Sequence, residues 1–337
     1  MWKMRKLKYC VANFIEPIIQ NSPFWNNPAG WCSILTFHRV VKGKPILPGI
    51  EINFKDFKNI IEYLIDNGFD IISIDELNNI LRQGIIPKQK KIVLTFDDGY
   101  IDNYNLVYPF LSEKQIPFTV YVCNGIIDKS IYIWWYLILN LYESENKAII
   151  IDNRKVKLKP SNKSIIFKFL KSQNEDSLKS LLLNLGIDIK KSNKLFNKEI
   201  AMTWGEISKM SESEYVTIGA HTINHYGLKY LSDKSSFNEM LLSKNEIERH
   251  IKRKVSHFAY PFGSDNEVSQ RELIYAKEIG FETAVTTCEF NLNDYKDINF
   301  HSLSRIPING NITLDEFKLR INGTYGFMKK IINKLWV

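Results

Sequence analysis

The chain has 337 residues, 24% of them charged, 45% hydrophobic and 13% aromatic, with 16 Gly and 11 Pro. This composition supports a large apolar core and excludes collagen, long coiled coils and wholesale disorder. At about 150 residues per domain, the length predicts two domains or one large α/β barrel. The formal net charge is +8, and the surplus sits at the ends. Residues 1–30 carry Lys3, Arg5, Lys6 and Lys8 against Glu16; residues 311–337 carry Lys318, Arg320, Lys329, Lys330 and Lys334 against Asp315 and Glu316. A nucleic-acid binder more often carries a basic stripe on its folded body, so no nucleic-acid partner is expected.

In chain order, residues 1–30 read as a basic amphipathic segment. Its apolar patch is broken by Asn13, Glu16 and Pro17, and no small-residue cleavage site follows. We therefore expect no secretory signal and a cytoplasmic location, with export by an unrecognised route as the alternative. The basic ends, 1–30 and 309–337, suit peripheral contact with an anionic inner membrane face, and equally suit terminal helices packed on the body. No run of about 18 apolar residues predicts a transmembrane helix. Cys10, Cys32, Cys123 and Cys288 are scattered without a CxxC pair, which predicts free thiols rather than a disulfide framework or a cysteine zinc site.

Short apolar runs at Ser33–Phe37, Asp70–Ile72, Lys91–Phe96, Phe118–Val122, Tyr215–Ala220, His257–Tyr260 and Glu282–Thr286 predict buried parallel strands. Amphipathic stretches alternate with them. Phe54, Phe57, Ile60, Ile61, Leu64 and Ile65 share one helical face behind Asn53, a residue suited to cap it, and Glu239–Lys252 and Val268–Ile279 are similar. The alternation predicts an α/β fold, a distorted (β/α) barrel of about seven strands spanning 31–308. Residues 130–200 break the rhythm and predict a mostly helical insertion opened by Trp134 and Trp135, which suit either stacking on sugar rings or simple burial.

Two constellations carry chemistry. Asp97 and Asp98, in Thr95-Phe96-Asp97-Asp98-Gly99, leave the end of a predicted strand, and adjacent carboxylates can divide cation binding from base work. The structural alternative is an ordinary Asp-Asp-Gly turn. His221 and His225, at i and i+4 after another strand, can present two imidazoles to one divalent ion. The structural alternative there is a surface turn. Together they make an Asp-His-His set with open positions for water, the composition of a hydrolytic metal site. Paired carboxylates alone would also suggest a glycosidase, but that chemistry has no need of a histidine pair.

These motifs resemble those of the polysaccharide deacetylases, the family-four carbohydrate esterases with the nodulation-type deacetylase domain. The resemblance covers residues 31–125 and 200–308. Thr95–Gly99 matches the first family motif and His221–His225 the second. The resemblance implies that Asp97 is the catalytic base and that Asp98, His221 and His225 bind a divalent metal, zinc first, with cobalt and nickel also suited. Ala259-Tyr260-Pro261-Phe262-Gly263 stands where the third motif has an Arg, so Ala259 replaces it. The Phe262 amide is the expected oxyanion donor, with Tyr260 and Tyr100 as expected lining residues. The fourth motif is not evident, and Leu303-Ser304-Arg305 stands where the family has its Leu-x-His acid.

Leu35-Thr36-Phe37-His38-Arg39 resembles the early histidine motif of the poly-N-acetylglucosamine deacetylase branch, which implies His38 as the acid. His301 is the reserve candidate, and Arg305 is expected to replace the lost arginine by pairing with Asp97. The Trp pair and insertion resemble deacetylases of bacterial surface-polysaccharide pathways. The implied activity is hydrolytic N-deacetylation of an acetamido sugar in a polysaccharide or its lipid-linked precursor, with release of acetate. The lost motif residues suit a rival, a non-catalytic saccharide-binding module that keeps the metal. His250 and His257 are expected to be a surface residue and a structural one.

Overall fold

Strands covered on both faces read as nearly continuous apolar runs, and the centre of this molecule is built from such runs. The computed structural model describes residues 29–47, 49–131, 133–139, 147–187, 200–293, 298–310 and 312–326. The strands are β1 (Cys32–Phe37), β2 (Arg39–Val41), β3 (Glu51–Asn53), β4 (Asp70–Ile71), β5 (Lys91–Phe96), β6 (Phe118–Val122), β7 (Ala148–Ile151), β8 (Arg154–Lys157), β9 (Val216–Ala220), β10 (His257–Ala259), β11 (Thr283–Val285) and β12 (Arg305–Pro307). Seven form a parallel path in the order β11-β10-β9-β6-β5-β1-β12, with β4 beside β5. The path nearly closes on itself. Ala284 N–H donates to the Phe300 carbonyl at 2.8 Å, Leu303 N–H to Ala284 at 2.9 Å and Thr286 N–H to Leu303 at 2.9 Å, joining β11 to the chain that enters β12. The expected distorted (β/α) barrel is therefore the fold.

Each barrel strand divides its side chains by parity. Leu35 and Phe37, Ile92, Leu94 and Phe96, Val120 and Val122, Ile218 and Ala220, and Phe258 and Tyr260 all belong to the layer between strands and helices. The alternate residues point into the barrel, where Ile34, Val93, Tyr121, Ala259 and Val285 share a second cluster. Carried one step past each strand, the inward parity selects His38, Asp97 and His221. It also selects Arg305 on β12.

The helix Phe54–Asp66 forms where expected, with the Asn53 side chain accepting from Lys55 N–H at 2.8 Å. The helix Asp233–Ile251 begins earlier than its apolar pattern suggests, because Ser232 caps it. The insertion differs from expectation. Besides the helices Trp134–Leu139, Lys163–Lys171 and Glu175–Asn184 it holds the antiparallel hairpin β7–β8, turned by Asp152 and Asn153 at φ 48° and 61°. Two adjacent residues of positive φ form the turn that matches strand twist, and Asp and Asn tolerate it.

The strand β12 was not expected from the sequence. The tail expected from 309 onward is in part integral to the body: the helix Leu314–Ile321 buries Phe317 against Tyr63, ring centroids 6.0 Å apart. Arg320 pairs with Glu289 and Glu316, and Lys318 lies 3.9 Å from Asp315, so these two basic residues are neutralised. Residues 1–28 and 327–337, on which the membrane-surface expectation mainly rests, lie outside the described residues, as does Cys10. No described helix is long and apolar enough to cross a membrane. Cys32 and Cys123 are buried free thiols, and the Cys288 thiol lies 3.7 Å from Asp265 Oδ1; burial pushes the Cys32 thiol up to about 12, which makes it inert.

Candidate metal centre and active site

Inward parity delivers Asp97 from β5 into the barrel. Asp98 would then face outward, but it adopts a left-handed conformation at φ 77°, followed by Gly99 at φ 86°. The two positive φ values turn the second carboxylate back toward the barrel axis. The positive φ of Gly99 is the backbone conformation that favours glycine, and a Cβ there would also lie 2.9 Å from the Ile127 Cδ1.

Asp98 Oδ1 lies 3.4 Å from His221 Nε2 and 3.1 Å from His225 Nε2, and all three groups are buried. These three atoms lie within 4.8 Å of one another. His221 Nδ1 is 2.7 Å from the Ala259 carbonyl. A carbonyl only accepts, so Nδ1 carries the proton and the Nε2 lone pair points at Asp98. Asp98 Oδ1 meets no hydrogen-bond donor among the described residues. Lone pairs converging on one buried point repel unless a cation lies between them, so the residues present fit a divalent metal.

The histidine pair was expected to use helical spacing, and it does not. Residues 221–227 form a loop, with Thr222 and His225 at φ 65° and 57°. Glu239, from the helix Asp233–Ile251, holds that loop. Its Oε2 accepts from the N–H groups of Ile223 at 3.0 Å and Asn224 at 2.8 Å, and its Oε1 from Asn224 Nδ2 at 2.6 Å. His225 is clamped by rings, Trp135 at 4.8 Å and Phe262 at 4.7 Å. Glu239 was missed in the sequence because one acidic residue on a charged helix carries no local signal. Supports of this kind set ligand orientation, so Glu239→Gln is expected to weaken metal binding by about 10- to 100-fold with the fold intact. A zinc competition titration beside circular dichroism checks it.

Arg305 grips Asp97 with two bonds, Nη1 to Oδ1 and Nη2 to Oδ2, both 2.7 Å. The guanidinium also donates to the Thr286 carbonyl at 3.1 Å and Thr95 Oγ1 at 3.2 Å, and lies 5.6 Å from the Tyr121 ring centre. Burial disfavours the Asp97 charge, but Arg305 first and then His221 outweigh it and hold the carboxyl below its ordinary range.

His38, Asp97, Asp98, His225, Trp134, Trp135, Phe262 and Thr287 line one cavity of about 300 Å³. His38 follows β1 and makes no hydrogen bond among the described residues. Phe262 sits at φ 61°; its carbonyl accepts from Thr287 Oγ1 at 2.6 Å, while its N–H meets no acceptor among the described residues. Of the two expectations for the Trp pair, burial is met: each indole is buried in the insertion's core, and each also contributes to the cavity wall.

Three expected residues lie elsewhere. Tyr260 has outward parity; its hydroxyl donates to the carbonyls of His301 at 3.0 Å and Glu272 at 3.4 Å, and its ring packs on Phe258. Tyr100 sits behind the wall, accepting from Trp135 Nε1 at 3.1 Å. His301 donates to the Phe281 carbonyl at 3.0 Å, at the entry to β11 and away from the cavity. His257 is structural, 3.0 Å from Asp75 and 2.8 Å from Thr283 Oγ1. His250 stacks on Trp204 at 4.1 Å.

The sequence profile described as polysaccharide deacetylase matches residues 85–284. The chain belongs to the polysaccharide deacetylase family. That match contains both Asp97–Asp98 and the histidine loop. Among curated relatives, YxkH of Bacillus subtilis (strain 168), named for the same family, is 23% identical over 254 residues, 75% of this chain and 63% of that one. The poly-beta-1,6-N-acetyl-D-glucosamine N-deacetylase of Escherichia coli (strain K12) is 22% identical over 292 residues, 77% of this chain and 34% of that one. The chain thus spans less than two thirds of the length of these curated relatives. Among solved structures, the Streptococcus pyogenes deacetylase PplD in complex with acetate matches with a TM-score of 0.58 at 19% identity, over 86% of this chain and 97% of that one. IcaB from Ammonifex degensii matches with a TM-score of 0.56 at 17% identity, over 88% and 97%. At those identities the structural matches show a shared fold.

Proposed function

We propose that this polysaccharide deacetylase-family chain is a metal-dependent N-deacetylase, hydrolysing the acetamide of an amino sugar in a polysaccharide or its lipid-linked precursor. The observation that carries the reading is the division of labour between adjacent acids. Asp98 faces the Nε2 atoms of two imidazoles, whereas Asp97 is gripped by Arg305 and stands free of them. A pure binding module has no use for an ionised, oriented carboxylate beside a metal triad.

Asp98, His221 and His225 would hold the ion. When bound, a divalent cation such as zinc supplies Lewis-acid polarisation of the acetamide carbonyl and a lowered pKa for water. Asp97, kept ionised by Arg305, takes the proton from the attacking water. The Phe262 N–H, without a protein acceptor, is available to donate to the developing oxyanion. An amine anion does not leave at neutral pH, so His38 donates a proton to the departing nitrogen. Acetate and a free amino sugar result. The name of the Escherichia coli relative supports an N-acetylated glucosamine polymer as one substrate to try.

The test is acetate release from N-acetylated amino-sugar oligomers by metal-stripped protein titrated with zinc. The expected result is activity that rises to a plateau at one equivalent. Full loading with no release from any oligomer would favour the binding-module reading.

A further inference from the structure

The cavity wall is not confined to the barrel. The insertion helix Lys163–Lys171 contributes Lys163, Phe167 and Lys171 to it. The acids that line the same cavity, Asp97 and Asp98, both have assigned work, one gripped by Arg305 and one set with the histidine pair to hold the metal. Among the described residues the rim therefore presents two ammonium groups and no free carboxylate. Lys171 lies 3.5 Å from Glu267 and 4.6 Å from the centre of the Phe262 ring, the same ring that clamps His225. Lys163 lies 5.1 Å from the Phe167 ring centre and has no carboxylate within 4 Å among the described residues.

Lys163 lies in the opening turns of a helical run that begins with a 3-10 turn at Pro160–Asn162 and carries no acid before Lys171. Partial burial lowers the Lys163 pKa, a penalty on the charge that a neighbouring anion reverses.

Resting on the deacetylase reading, we propose that the substrate is an anionic saccharide, with a phosphate or carboxylate on the acetamido sugar or on the ring beside it, seated against Lys163 and Lys171. The same rim disfavours a polymer whose neighbouring amines are already free, because each such amine is a cation facing two lysines. Lys163 is the specificity-determining residue of the pair, since Lys171 already has Glu267.

Binding separates this proposal from turnover. Calorimetric titration of the metal-loaded Asp97→Asn protein compares an N-acetylhexosamine 1-phosphate, an N-acetylated disaccharide bearing a uronate, and the neutral methyl glycoside. The expected result is about tenfold tighter binding of at least one anionic ligand, the stronger arm identifying the anion. That advantage should shrink with added salt. Adding Lys163→Gln should reduce it to within about threefold, and Lys163→Arg should restore it. Equal binding of neutral and anionic forms overturns the proposal, as does undetectable binding of both anions. A phosphate that merely ligated the metal would keep its advantage in Lys163→Gln, which also overturns it. Failure of the unsubstituted, metal-loaded protein to release acetate from any of these ligands would instead count against the deacetylase reading.

Discussion

Arg305→Met is expected to be among the most damaging single substitutions in the chain, costing about 3–5 kcal/mol of stability and at least ~100-fold in turnover at neutral pH. Arg305 is fully buried and Asp97 is 2% exposed, and they meet through two parallel bonds of 2.7 Å. Removing the cation leaves a carboxylate without its main partner in a low-dielectric interior, where the uncompensated charge costs more than the pair contributes. The carboxyl can escape by taking a proton, but a protonated Asp97 no longer accepts one from water.

The direction with pH follows. In the native chain Asp97 sits below its ordinary value despite burial, because Arg305 and then His221 favour its charge. That contribution to stability is present above the unfolded-state value of about 3.9 and is lost as pH falls through the lower folded value. Without Arg305 the folded value rises, so the acid limb of the pH–activity profile moves to higher pH. Denaturant unfolding checks the stability, and pH–rate profiles check the activity. Asp97→Asn/Arg305→Met should be more stable than Arg305→Met alone, since neither charge is then left buried. Arg305→Lys should fall between, because one ammonium cannot reproduce a two-pronged grip. Unchanged turnover in Arg305→Met would contradict the role assigned to this pair.

The second large effect is at His38. Its ring lines the cavity with Asp97 and Asp98 and has no competing protein partner among the described residues. His38→Ala is expected to lower amide hydrolysis by about 10²- to 10⁴-fold. On an aryl acetate ester the loss should be less than ~10-fold, because a phenolate leaves without a proton. Equal losses on amide and ester would mean that His38 acts in binding rather than as the acid, and no loss on either would remove it from the chemistry.

Much of this site was legible because barrel strands repeat with period two. Val93, Thr95 and Asp97 alternate with Leu94 and Phe96, and the burial of the latter pair against helices fixes where Asp97 points. The same rule places Tyr260 outside the cavity, one residue after inward-facing Ala259, whereas its motif position suggested a lining role. The strand β12 escaped notice because it is three residues long, begins with a charged Arg and ends on Pro. Its buried charge makes sense only against Asp97, some two hundred residues earlier in the chain. The β7–β8 hairpin did carry a local signal, Asp152-Asn153 between Ile-rich and Val/Lys-rich runs. Glu239 carried none: its value comes from a loop it meets only in three dimensions.

The central claim is that adjacent carboxylates do different work, Asp98 holding the metal and Asp97 moving the proton. Metal content and acetate release measured together on Asp97→Asn and Asp98→Asn test it most directly. The account predicts that Asp97→Asn retains one equivalent of zinc after desalting and loses at least ~100-fold in turnover. It predicts that Asp98→Asn loses the zinc itself, and turnover with it. Loss of zinc from Asp97→Asn, or full turnover by that variant, would contradict the account.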